Sequence, residues 1–434
     1  MGIFICIFFI FISQIKQKGH RLNILFVFNL LWLIIIFFSK IRLYGLYAAS
    51  GKAYNLIAIG VLCFDIGYCC CNKIIKCNSI EKKDCLYSKN ILRYHILYFL
   101  CVVVFIFYLK DLAITLPKIL SGQGLEVIRQ LAQNSESELY SNRSGIEDAL
   151  RTLFVNPYMV ALQSIVAVDF WIGKRDKLLF FGDVLLCVMN MFSDGSRTYL
   201  LYLAIQMAVI YFLSGKHLDV INNIKMMNKT KRRIIFFTVG GLGALILVLA
   251  TISRSGQNVI RYLYYYYSME PYMLDLWMSE VDKLGNYGFG LSSFCGYTFS
   301  IIYFVTNLFG LSSYPEFAYD VVLMTTSTDQ TWKIISSMGS PANAYVSLFW
   351  FPYYDGRIIG VIILMFLYGI FIKQIYLRAY KTMNGKYLAL YALLFVGVFM
   401  SYVRFQFSQV AQALAFIYII LLFHKERMNI DNKL

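Results

Sequence analysis

Apolar residues run through this chain in unbroken blocks of about 15 to 20, and the polar residues collect between the blocks. Continuous runs of that length predict helices that cross a bilayer rather than amphipathic helices of a soluble core. The candidate spans are 2–13, 22–39, 54–71, 91–109, 152–172, 178–192, 198–213, 234–252, 358–372, 387–403 and 405–423. Some reach across about 30 Å only with local thinning of the bilayer. A transmembrane barrel is excluded, because its strands alternate apolar and polar positions and these runs do not. The expected fold is therefore all-α and polytopic, with about 11–12 transmembrane helices. The first run is short, and no small-residue cleavage site follows it, so it reads as a short first span rather than a signal peptide.

Basic residues orient the spans. Segments 14–21, 72–90, 173–177, 214–233, 373–386 and 424–434 hold 24 Lys and Arg in 77 positions. Segments 40–53, 110–151, 193–197 and 253–357, with Arg404, hold 15 in 167. The basic-rich set is the cytoplasmic side. Two long loops, 110–151 and 253–357, then face outward. This divides the chain into a helical membrane region 1–252, a large outer loop 253–357 and a helical membrane region 358–434. Within the large loop, Tyr287 to Gly310 is apolar but rich in glycine and serine, which suits a re-entrant element lined by protein. If that stretch crosses instead, either a further crossing follows near Tyr345 to Phe351 or the last three spans invert, which is disfavoured because it puts the basic 373–386 loop outside.

Composition agrees with this picture. The chain has 434 residues, of which 59% are hydrophobic and 15% charged, well below the quarter expected of a soluble domain. The net charge of +16 sits mostly beside apolar runs, so it reads as membrane orientation and not as a nucleic-acid surface. Five of ten cysteines (Cys69, Cys70, Cys71, Cys77, Cys85) lie at one end of one span without the paired spacing of a zinc site, so no metal is expected.

The chemistry-bearing residues are few. The four histidines, His20, His95, His217 and His424, all fall outside the outer loops. This argues against histidine-based hydrolysis or metal chemistry on the outer face, and it leaves Ser196 without a base. Three outward arginines stand at span ends: Arg197 in "SDGSR", Arg254, and Arg404 in the last hairpin. A guanidinium binds phosphate bidentately and stays charged, although snorkelling to lipid headgroups explains the same placement. In the large loop, "RYLYYYYSMEPYMLDLWMSEVDKLG" brings Tyr265 and Trp277 for stacking on sugar or for an interfacial belt. It also carries Glu270 and Asp275, either of which could serve as a general base or simply face solvent. Asp65 and Asp183 lie inside spans, where an acid marks a transport path or a structural pair.

"FSDGSRTYLLYLAI" at an outward span start resembles the arginine-bearing segment of bacterial Wzy-type oligosaccharide repeat-unit polymerases, the O-antigen and capsule polymerases. "YYYYSMEPYMLDLWM" followed by "YGFGLSSFCGY" looks like their large outer loop. The resemblance implies a GT-C-like glycosyltransferase in the bacterial inner membrane that joins repeats carried on undecaprenyl diphosphate. It implies no cofactor, contacts with membrane lipids, and a separate chain-length regulator protein as partner. Arg197 and Arg404 would stabilise the leaving diphosphate, with Arg254, Arg261 and Arg143 in support. The competing expectation is a flippase for lipid-linked oligosaccharide, which would line its spans with charge and keep its loops short. A membrane acyltransferase is disfavoured by the missing outer histidine.

Overall fold

The computed structural model describes residues 23–74, 92–133, 137, 139, 143–214, 259–310 and 315–424. Expected spans 2–13 and 234–252, and Arg254, lie outside them. The described residues are mostly helical, at 79%. Among the described residues, five helices are long and apolar enough to cross a membrane.

Helices α1 (Ile24–Ile41) and α2 (Gly51–Ile74) open the described chain. Helix α3 (Tyr94–Leu120) has 27 residues and is about 40 Å long. It overruns the expected span 91–109 by eleven residues, carrying Pro117 within its last turn, and ends at Ser121. The expected outer loop 110–151 is therefore largely helical, continuing through α4 (Leu125–Gln133) and α5 (Gly145–Leu150). A single π turn, Arg151–Val155, joins α5 to α6 (Asn156–Trp171). Helix α7 (Lys177–Asp194) is capped by Asp176, whose carboxylate accepts from Leu178 N at 3.0 Å and Leu179 N at 3.3 Å. It ends at Gly195, and α8 (Thr198–Ser214) follows.

Beyond residue 258 come α9 (Val259–Tyr266), α10 (Glu270–Leu284), α11 (Cys295–Leu308) and α12 (Glu316–Gln330). A two-residue antiparallel pair, β1 (Lys333–Ile334) and β2 (Pro341–Ala342), leads to α13 (Ser347–Thr382). Helices α14 (Gly385–Phe399) and α15 (Val410–Leu422) complete the described chain.

Helices α6 and α14 form the centre, since both are apolar nearly all round and almost every residue is buried. α6 packs on α7, α8, α14 and α15, while α2 and α13 form the other main helix pair. That pair approaches backbone to backbone. A Cβ on Gly67 would stand 2.1 Å from Phe366 O, and one on Gly369 2.2 Å from Phe64 O. Such close approach is how membrane helices gain van der Waals contact.

Two sets of contacts mark the ends of the bundle. Leu92 pairs with Phe423 at one end, beside the basic-rich segments. Leu46 pairs with Ser336, and Ser347 with Arg404, at the other. Helices α11 and α12 leave and regain this second end. Gly296 packs on Gln409 O, the hydroxyls of Ser292 and Thr325 stand 3.5 Å apart, and Thr328 reaches Arg404 at 3.3 Å.

Helix α13 is kinked at Gly356 and Arg357, and Arg357 holds φ 53°. The kink is fastened from both sides. Asp355 accepts from Ser292 N at 3.0 Å and Ser293 N at 2.9 Å. Arg357 donates to Val281 O at 2.9 Å, in the last turn of α10, and to Asn286 O at 3.1 Å, just beyond it. The stretch near Tyr345 to Phe351 is thus mostly the buried head of α13, ahead of its long apolar segment.

Candidate functional site

Arg404 sits in the tight turn between α14 and α15. The turn is tied to the head of α13, with Leu348 N donating to Ser401 O at 2.8 Å and Ser347 N to Val403 O at 3.2 Å. These bonds hold the guanidinium inside the protein, where Arg404 is 8% exposed. It donates to Thr328 Oγ1 at 3.3 Å and to the Asp329 carboxylate, and it lies 5.8 Å from the centre of the Phe351 ring. Burial lowers its pKa to about 10, so it stays charged at neutral pH. Its partner Asp329 is on the open side, with a side chain 44% exposed.

A tyrosine wall stands beside this pair. Tyr266 stacks on Tyr345 at 5.6 Å, Tyr345 meets Tyr402 at 5.9 Å, and Tyr402 meets Tyr267 at 5.4 Å. Tyr402 lies two residues from Arg404, so one turn supplies both a ring and a cation. Tyr202 of α8 also lies within the electrostatic reach of Arg404.

A second charged cluster forms where α3, α4, α5 and the start of α6 meet. The π turn sends Arg151 across to Asp111, with Nη1 at 2.6 Å from Oδ2 and Nη2 at 3.0 Å from Oδ1. The same guanidinium donates to Glu147 at 2.8 Å. Arg143 joins Asp111 at 3.1 Å, and Lys110 pairs with Glu147. Single π turns inside α-helices often mark functional sites, and this one aims a buried arginine.

"SDGSR" closes this cluster. Gly195 takes φ 63° and packs so tightly on α4 that a Cβ would lie 2.8 Å from Leu125 O. Asp194 before it lies in the field of Asp111, Arg129 and Arg143. Ser196 Oγ stands 2.9 Å from Thr198 Oγ1, and half-buried Arg197 leads into α8. The first turns of α8 link the two clusters, since Tyr199 senses Asp194 while Tyr202 senses Arg404. Arg197 and Arg404 therefore belong to the same end of the bundle, with Arg143 in the adjoining cluster.

The other expected residues are placed differently. Glu270 is fully buried, and neither carboxylate oxygen has a well-formed hydrogen bond among the described residues. Burial raises its pKa well above the usual range, with the Ser347 hydroxyl opposing. It has no surface from which to meet a substrate hydroxyl. Asp275 holds the start of α2, accepting from Ser50 N at 2.8 Å and Ser50 Oγ at 2.6 Å. Tyr265 is buried, with its hydroxyl on Tyr44 O at 2.7 Å. Trp277 is 3% exposed, edge-on to Trp350 and covered by Lys333, so its ring offers no open face to a sugar. Arg261 lies along the surface near Met338 and Tyr262.

Sequence reasoning missed Arg151, Asp111, Arg129, Asp329 and the Tyr345–Tyr402 contact. Only Glu147 and Arg151, four residues apart, carried a readable helical pairing signal. The remaining pairs join segments from 32 to 75 residues apart, which spacing does not reveal. No protein-family model matches the chain, and no curated protein or solved structure matches it.

Proposed function

We propose that the chain polymerises oligosaccharide repeat units carried on undecaprenyl diphosphate, at the outer face of a bacterial cytoplasmic membrane. The observation that carries this reading is Arg404, a charged guanidinium buried beside tyrosine rings, whose exposed partner Asp329 can give way to a stronger anion. The growing glycan is the donor. Its anomeric carbon–oxygen bond to the diphosphate breaks, the diphosphate leaves with the electron pair, and a hydroxyl of the incoming unit forms the new glycosidic bond. Charge grows on the diphosphate as that bond opens. Guanidinium groups fixed beforehand in a low-dielectric setting stabilise such charge by roughly 2–4 kcal/mol each. Arg404 takes this role, with Arg197 at the neighbouring helix start. The hydroxyl proton goes to a carboxylate, and Asp329 is the one beside Arg404 with an exposed side chain. Glu270 and Asp275 leave the mechanism, the first being buried and the second holding a helix start.

Deleting the gene and separating surface glycan by gel electrophoresis tests the reading. The expected product is core carrying a single repeat, with the ladder lost. Complete loss of repeats would favour the flippase, and an unchanged ladder would rule out polymerisation. Arg197→Ala at normal protein level is expected to remove the ladder.

A further inference from the structure

Helix α7 carries Asp183, Cys187, Asn190 and Asp194 at spacings of four, three and four residues, which places them on one stripe. The stripe rises about 16 Å. Its first three members are buried, and Asp194 at the end is half-buried. Cys187 Sγ donates to Asp183 Oδ1 at 3.8 Å, and Asn190 Nδ2 to Asp194 Oδ2 at 2.9 Å. From α6, Gln163 Nε2 donates to Asp183 Oδ1 at 3.3 Å and lies 3.7 Å from Cys187 Sγ. Tyr108 of α3 and Tyr199 of α8 both lie in the field of Cys187 and Asp194.

Along this stripe, four buried polar atoms have no hydrogen-bond partner among the described residues: Asp183 Oδ2, Gln163 Oε1, Tyr108 Oη and Asn190 Oδ1. Polar residues that only glue membrane helices together are matched to one another. Orphaned groups repeated along one line are what a chain of ordered waters satisfies. The line has a blind end. One stripe position below Asp183 is Leu179, apolar and buried. Cys101 and Tyr158 also lie in the field of Asp183, and they are bonded to each other at 3.2 Å, with Tyr158 Oη donating to Leu97 O at 2.8 Å. The other end adjoins the charged cluster, where half-buried Asp194 meets the field of Asp111, Arg129 and Arg143.

We propose that this stripe lines a blind, water-filled path that opens at the Arg197 end of the bundle, and that the Asp183 carboxyl exchanges protons with that side alone. Hydronium arriving along the path gives its proton to the carboxylate and leaves as water, and the reverse step returns it. The inference does not depend on the polymerase reading, since it concerns access to a carboxyl and not sugar transfer.

Cys187, in the middle of the stripe, is a native reporter. The full chain with Cys187 as its sole cysteine is placed in right-side-out and inside-out membrane vesicles and treated with silver ions. The thiol left is then counted with a maleimide after unfolding. Silver is expected to consume Cys187 at least tenfold faster from the face bearing Arg197, and Asn190→Leu is expected to slow that reaction at least tenfold. Equal rates from both faces, or a thiol untouched from either, would overturn the path. The proton step has a separate readout that needs no variant. A lipid-soluble carbodiimide, which attacks the protonated acid, should modify Asp183 faster when the Arg197 side alone is acidified. Modification that follows the pH of the opposite side, or of neither, would refute it.

Discussion

Replacing Arg151 with alanine strips Asp111 of its two-pronged partner. Arg151 and Asp111 are both buried, and the pair is bidentate at 2.6 and 3.0 Å, with further donation to Glu147 at 2.8 Å. Removing one member of such a pair leaves an uncompensated charge and costs about 3–5 kcal/mol. Arg143 stays on Asp111 at 3.1 Å, which places the expected loss at the lower end, about 3 kcal/mol. A double-mutant cycle with Asp111→Asn isolates the pair, and hydrogen bonds to charged groups set the expected coupling at about 1.5–3 kcal/mol. Urea titration of the purified protein in detergent, followed by tryptophan emission, measures all four corners. A single-variant loss below about 0.5 kcal/mol, or additive losses, would show that the π turn does not exist to aim this arginine.

Three further outcomes follow from particular contacts. Gly195→Ala meets both a left-handed backbone and the Leu125 carbonyl, so it should cost about 1–2 kcal/mol in the same titration, and a neutral result would discount the tight turn. Asp275→Ala removes two bonds to Ser50 and should lower stability by about 1 kcal/mol while leaving glycan polymerisation intact; loss of polymerisation at normal protein level would return Asp275 to the chemistry. Glu270 has a folded pKa raised by burial above the ordinary 4.5, so the folded protein holds a proton there that the unfolded chain releases. Its stabilising contribution is whole below that ordinary value and is lost as pH rises towards the folded pKa. Glu270→Gln cannot titrate and should flatten the fall in stability as pH rises above that ordinary value, whereas equal slopes in both proteins would contradict the buried acid.

The helical class was legible because continuous apolar runs report burial in lipid or protein with little ambiguity. Boundaries were less so. Helix α3 runs past Leu109 because Lys110 and Asp111 find partners in Glu147, Arg143 and Arg151, and such partners are invisible to a count of hydropathy. Arg197 and Arg404 stood out as isolated cations at span ends, and the structure gathers them at one end of the bundle. Glu270 and Trp277 looked like loop residues because α10 is polar in composition. Yet α10 lays its apolar side on α2 and α13, and takes both inside. Composition describes a segment, whereas burial belongs to the face on which each residue falls.

Polymerisation can be measured with the purified protein in vesicles, supplied with undecaprenyl-diphosphate-linked repeat units and no other enzyme. Products of increasing length are expected, with release of undecaprenyl diphosphate. Arg404→Ala, folded and inserted as the unaltered chain is, should slow this about 10²–10³-fold. Single repeats that never lengthen, or an Arg404→Ala variant that polymerises at the normal rate, would contradict the proposed function.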